Sequence, residues 1–286
     1  LPMGNIYGYQ TDGWYKASDF DKLQLDSSGE GYWQKDGKKV DTPFGESAYP
    51  GLIKFKDVNG DGQITEADKT ILGNTYALCQ GGFSLNAHVG GATWGRVDLA
   101  ANFTYSIGND VLNLNKVDYT TITTKDEKTS YRNNITEVKG GYSQFDEAGE
   151  WIPEAYINTK DKDFELVGDD YRAMAEAMDA ANADATMWSP LMPSYAVTDY
   201  AVEDASYLRL SSLTVGYSLP EDVLKKAYIK KIRLFFTASN LFTVTNYSGF
   251  DPEVDVFSKK NPLLHGVDFS AYPKSVAFNF GLNLSF

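Results

Sequence analysis

The chain has 286 residues, 42% of them apolar and 14% aromatic, and its 39 acidic and 26 basic side chains leave a net charge of −13. That balance excludes a nucleic-acid binder, which needs a basic face for phosphates. The absence of any run of 18 apolar residues excludes a transmembrane helix.

A weak strand pattern opens the chain at Asn5–Thr11, with no signal peptide before it. The start at Leu1-Pro2 reads as that of a mature chain or of the C-terminal part of a longer one. The first sharp motif is Asp57-Val58-Asn59-Gly60-Asp61-Gly62-Gln63-Ile64-Thr65-Glu66-Ala67-Asp68. Oxygen-bearing side chains at positions 1, 3 and 5, glycine at 6 and a carboxylate at 12 are the spacing of an EF-hand calcium loop. Asp57, Asn59, Asp61, the Gln63 carbonyl and Asp68 are the expected ligands of a structural Ca2+. Aspartate replaces the usual glutamate at position 12, which predicts a weaker, dockerin-like site suited to millimolar extracellular calcium. The alternative is an Asx/Gly turn that binds nothing.

Past the lone Cys79, a small buried or wall residue that excludes an internal disulfide, a two-residue period begins. Phe83, Leu85, Ala87 and Val89 alternate with Ser84, Asn86 and His88. After the turn Gly90-Gly91-Ala92-Thr93-Trp94, Val97, Leu99, Ala101, Phe103 and Tyr105 alternate with Arg96, Asp98, Ala100, Asn102 and Thr104. The long connection 106–206 holds one predicted helix, Asp169–Ala185, with Tyr171, Met174 and Met178 on one face and Trp188-Ser189-Pro190 beyond its end. Alternation returns in strands near 207–219, clearest from Leu213 to Leu219, and 231–241, where Ile232, Leu234, Phe236 and Ala238 share a face. A second long connection, 242–274, leads to a strand near 275–286 that ends on Phe286.

A strand with one apolar and one wet face fits either a soluble sandwich or a membrane barrel. Five such segments, short links at one end and long loops at the other favour the barrel. Arg96, Asp98 and Arg233 lie on the wet face, where a lumen tolerates charge and lipid does not. The expected fold is therefore all-β: strands of a large antiparallel transmembrane barrel, with 1–82 as an extracellular or lumenal segment. Five strands do not close a barrel, so further strands must come from elsewhere.

Catalytic motifs are missing from the sequence. His88 and His265 are far apart, no G-x-S-x-G, H-E-x-x-H or phosphate loop occurs, and Asp146 with Glu150 is a chance acid pair among many. We expect no enzyme. A calcium-dependent extracellular glycan-binding or adhesion module is the alternative to transport.

Four blocks in order, Gly51–Gly73, Tyr207–Pro220, Ser239–Glu253 and Tyr272–Phe286, resemble the C-terminal part of the SusC/RagA family of TonB-dependent outer-membrane transporters. The resemblance implies a barrel of about 22 strands, whose plug and earlier strands lie outside this chain. It also implies an outer-membrane location and import of oligosaccharides or peptides. The implied partners are a SusD-like surface lipoprotein as lid, and TonB acting through the N-terminal barrel-and-plug portion.

Overall fold

The computed structural model describes residues 3–25, 31–43, 47–91, 93–122, 136–158, 164–191, 196–225, 228–253 and 265–286. Leu1, Pro2 and Ala92 of the motifs above, and parts of both long connections, lie outside these residues. The chain divides into two compact units.

The first unit (1–6, 73–113 and 202–286) is built on five long strands: β1 (Cys79–Gly91), β2 (Gly95–Ile107), β3 (Tyr207–Ser218), β4 (Lys231–Thr245) and β5 (Ala277–Ser285). They form one antiparallel sheet in the order β5-β4-β3-β2-β1. Most of these strands run past the alternation visible in sequence. The reason in β3 is a bulge at Ser211: the register shifts between Leu210 and Ser212 against both neighbours. One extra residue there puts Leu210 and Leu213 on the same face and interrupts the two-residue period. On β4 the compensating irregularity falls at Asn240, whose φ is +53°.

The register aligns like with like. Leu85, Ala101, Leu213, Ala238 and Phe278 form one cross-sheet row, and Val215, Phe236 and Phe280 lie in the next. Phe83 stacks on Phe103 at 4.8 Å, and Phe236 meets Phe280 at 4.9 Å. Large side chains on this face remain exposed, Phe280 at 83%, Val89 at 61% and Leu282 at 58%, whereas the small Ala101 and Ala238 are buried. In water such a face would be costly. Beside this sheet, Asp110–Asn113 pairs antiparallel with Val202–Asp204 and parallel with Val267–Asp268. Val111, Ala205 and Tyr247 make a small core there.

The second unit (7–72 and 114–201) has the main buried core. Tyr9, Phe20, Leu23, Trp33, Leu52 and Phe55 from its first half meet Tyr142, Leu166, Tyr171, Met187 and Trp188 from its second. A four-stranded antiparallel sheet orders Glu165–Val167, Lys22–Leu25, Gly31–Lys35 and Lys38–Lys39. Its helices include α1 (Leu114–Thr120) and α2 (Gly168–Ala181). Tyr171, Met174, Ala175 and Met178 bury one face of α2, the i, i+3, i+4, i+7 stripe of an amphipathic helix. The helix stops short of Ala185 because Asn182 turns its amide back to the Met178 carbonyl at 2.8 Å and out to Ser143. The stretches read from sequence as loops thus contribute a folded unit with its own interior.

Candidate functional site

Three arrangements carry chemistry. The first is the wet face of the sheet. Ser84 donates to Asn102 at 2.6 Å, Asn102 to Ser212 at 2.7 Å, and the Thr214 and Thr237 hydroxyls lie 2.8 Å apart. Arg233 binds Asp98 through two hydrogen bonds of 3.1 and 2.5 Å. Gly216 lies between their strands, and a Cβ there would fall 2.5 Å from Arg233 Nη2 and 2.6 Å from Asp98 Oδ2. Glycine is what allows this ion pair to form across the middle strand. Gly281 does the same for Phe235, whose ring occupies the space of any side chain at 281. Arg96, Asp98 and Arg233 share this face, so it gathers both signs of charge, and His88 pairs in register with Asp98.

The second arrangement lies at one end of the same sheet. A cavity of about 350 Å3 is lined by Tyr76, Gln80, Ser106, Asn109, Tyr207 and His265 among others. The rings of Tyr76 and His265 are 5.4 Å apart. Asn109 is fixed from both ends, accepting from Ser106 at 2.6 Å and donating to the Ala205 carbonyl. Glu253, also in the wall, is neutralised by Arg209, 2.6 Å away, and by Lys274. Arg209 is 3% exposed and donates to buried Asp251 at 2.6 Å and to Thr243 at 2.9 Å. Burial works to raise the Asp251 pKa, but backbone amides of Lys274 and Glu253 and the guanidinium outweigh it and hold the carboxyl below its usual range. The cavity therefore offers aromatic faces and neutral hydrogen-bonding groups around a balanced ion cluster. Sequence reasoning missed it, although Arg209, Asp251 and Glu253 all fall within the family-like blocks.

The third is the loop 57–68. Asp57 accepts from the amides of Gly60 (2.6 Å) and Gly62 (2.7 Å), Asn59 from Asp61 (2.8 Å), and Asp61 from Gln63 (2.8 Å). Gly60 and Gly62 take φ of +77° and +80°, which the tight winding requires. Asp68 is fully buried and closes the ring, accepting from Thr65 (2.8 Å), Val58 (3.0 Å) and Asn59 (3.3 Å). The Thr65 amide is the largest of the influences that lower its pKa. Among the described residues no three His, Cys, Asp or Glu side chains converge as a metal cluster. What fits a hard cation is the donor set, all oxygen, with lone pairs left on Asp57 and Asp61 after their backbone bonds, whereas both oxygens of Asp68 already accept two hydrogen bonds each, the last from the Thr65 hydroxyl at 3.4 Å.

The remaining candidates are structural. Asp146 accepts from the Ala148 and Glu150 amides, both at 2.9 Å, so this acid pair closes an exposed turn. Cys79 is exposed at the start of β1, 3.9 Å from the Tyr105 hydroxyl. No helix among the described residues is long and apolar enough to cross a membrane, which leaves open crossing by strands.

No family model matches the chain. It is 26% identical over 287 residues to TonB-dependent receptor P3 of Formosa agariphila, covering 99% of this chain and 22% of that protein. Over 92 residues it is 34% identical to the TonB-dependent receptor SusC of Bacteroides thetaiotaomicron, covering 32% of this chain and 8% of SusC. Among solved structures, the RagAB peptide transporter aligns with a TM-score of 0.57 at 20% identity, covering 99% of this chain and 23% of that one. That likeness is one of fold. The chain spans about a fifth of the length of the relatives that match nearly all of it.

Proposed function

We propose, from a chain that is of the SusC/RagA type of TonB-dependent receptor, that the protein forms part of an outer-membrane importer. Its five long strands are a section of the barrel wall, with the apolar rows against lipid and the Asp98–Arg233 face toward a wet lumen. The observation that carries this reading is the exposed apolar face of the sheet, Phe280 at 83% above all. The long connections lie on the extracellular side, and a barrel of about 22 strands is completed by sequence beyond this chain. Import is driven by TonB acting on a plug, with a SusD-like lipoprotein as lid. The cargo is an oligosaccharide or oligopeptide, and no bond in it is made or broken. The cavity lined by Tyr76, Gln80 and Tyr207 suits such cargo, because aromatic faces stack on sugar or side-chain groups and neutral amides take hydroxyls or carbonyls.

We also propose that loop 57–68 binds Ca2+ through Asp57, Asn59, Asp61, the Gln63 carbonyl and Asp68, as a structural ion. Its all-oxygen donor set and glycine-dependent winding support this. Calcium added to chelator-treated receptor should raise its unfolding midpoint, and Asp57→Asn should abolish the rise. An unchanged midpoint would leave the loop as a hydrogen-bonded turn.

The importer reading is tested by purifying the receptor from outer membranes in mild detergent and identifying what accompanies it. A lipoprotein co-purifying with a barrel-and-plug portion is expected. A chain recovered folded, alone and soluble without detergent would favour a calcium-dependent adhesion module.

A further inference from the structure

The cavity at the end of the sheet is poor in charge for a chain so rich in it. Charged residues make up 23% of the sequence. Yet no lysine or arginine is among the described residues that line this cavity, and Glu253 is the one acid. Glu253 is itself closed off: Arg209 lies 2.6 Å from its Oε2, Lys274 pairs with the same oxygen, and the Tyr207 hydroxyl donates to the carboxylate. Arg209 also holds Asp251, so two cations face two acids and the cluster has no net charge to offer a ligand.

Three of the lining residues come from the wet face of the sheet. Gln80, Ser106 and Tyr207 stand opposite one another in β1, β2 and β3, and Ser106 shares its face of β2 with Asp98. They mark the end from which the long connections leave, since β2 stops at Ile107 and β3 starts at Tyr207. Gln80 brings an amide that both donates and accepts, and Asn109 is held in one orientation by Ser106 and the Ala205 carbonyl. Beside these groups Tyr76 keeps 46% of its surface exposed next to His265.

A charged group entering such a wall loses water and gains no counter-ion, which is costly. A sugar ring suits it. Each hydroxyl donates and accepts, as amides and hydroxyls require, and the C–H face packs on an aromatic ring. A peptide suits it less. Its ends and many of its side chains are ionised, and its backbone is recognised by pairing with an open strand edge. Both edges of β2 and of β3 are already paired. The volume of about 350 Å3 lies at the low end of the range of small-ligand sites, about 300–1,000 Å3, which suits a short unit of cargo.

We infer, on the basis of the importer reading, that this cavity is a subsite for an uncharged sugar unit. Glu253 sets its specificity: neutralised by Arg209 and Lys274, it leaves uronates, sulfated sugars and peptide ends without a counter-charge.

The test uses the receptor purified from outer membranes together with the polypeptides that accompany it. It is presented to an array of neutral, uronate-bearing and sulfated oligosaccharides and to a peptide library, and the hits are titrated by calorimetry. Neutral oligosaccharides alone should bind. Gln80→Ala should weaken them by about three- to tenfold, the worth of one hydrogen bond, with the unfolding midpoint unmoved; this variant reads the cavity itself rather than a site on an accompanying protein. Glu253→Gln tips the cluster toward positive charge and should admit uronate-bearing oligosaccharides that the wild type rejects. The assignment is overturned by a wild type that binds acidic sugars or peptides or no neutral sugar, by titrations indifferent to Gln80→Ala, or by a Glu253→Gln variant that still rejects uronates. The importer reading fails by a different sign, recovery of the chain alone and soluble without detergent, so the two failures are told apart.

Discussion

The two units use the same residue types in opposite ways. The sheet unit holds ten acidic and ten basic residues, whereas the second unit holds twenty-nine and sixteen and so carries the whole net charge of −13. The apolar side chains invert in the same sense. In the second unit they turn inward, with Met174 and Met178 fully buried, while in the sheet they stand exposed in rows. A unit that keeps its charge outside and its apolar mass inside is built for water. A sheet with no net charge and an open apolar face, its ions confined to the other face, is what the proposed place in a barrel wall requires.

The sharpest way to break the contrast is at the buried ion cluster that anchors the sheet's end. Arg209→Ala leaves Asp251 buried without its cation and should destabilise the first unit by about 3–5 kcal/mol, read by denaturant unfolding of the receptor. In the second unit, Met174→Ala empties part of a closed core and should cost about 2–5 kcal/mol; the same unfolding assay should show the sheet's transition unmoved. On the sheet, Phe280→Arg should cost about 2–4 kcal/mol in a bilayer, seen as loss of the heat-modifiable folded band on gels. Asn283→Arg, on the wet face beside Arg233, should leave that band intact.

The smallest expected effects are of pH. The folded pKa of Asp251 is lowered, so its stabilisation is complete above the ordinary carboxylate value and is lost as pH falls through the folded one, below about pH 4. Tyr9 behaves in the opposite sense: burial, then Glu66, push its hydroxyl up from 10.0 to about 12. Its contribution is complete below pH 10.0 and disappears as pH rises to about 12, so alkali should loosen the second unit in that window. Acid and alkaline unfolding curves, with Asp251→Asn and Tyr9→Phe as controls, should lose these respective slopes.

The sheet was legible in sequence because a strand in lipid must alternate strictly, and alternation is a local signal. The period breaks at Ser211, where the bulge shifts the phase, whereas Phe235 falls on the wet face as the alternation expects and is accommodated there by Gly281 opposite. The second unit was illegible for the converse reason. Its core joins Tyr9, Phe20 and Leu23 to Tyr142 and Trp188, which lie more than a hundred residues away and follow no common period. Of that core, only α2, with its helical stripe, announced itself. The calcium motif was visible as spacing, whereas the polar cavity needed Tyr76, Tyr207 and His265 to be brought together by folding. No local pattern records such a meeting.

The central claim is that one face of the sheet meets lipid and the other water. Single cysteines placed in turn at 278 to 284 of β5, in a Cys79→Ser receptor reconstituted in vesicles, can carry an environment-sensitive fluorophore. The account predicts emission that alternates with a period of two, position 281 being left as the glycine that Phe235 requires: blue-shifted and quenched by brominated lipid at 278, 280, 282 and 284, and water-like at 279 and 283. Uniform emission along the strand, or quenching of the odd positions, would contradict it.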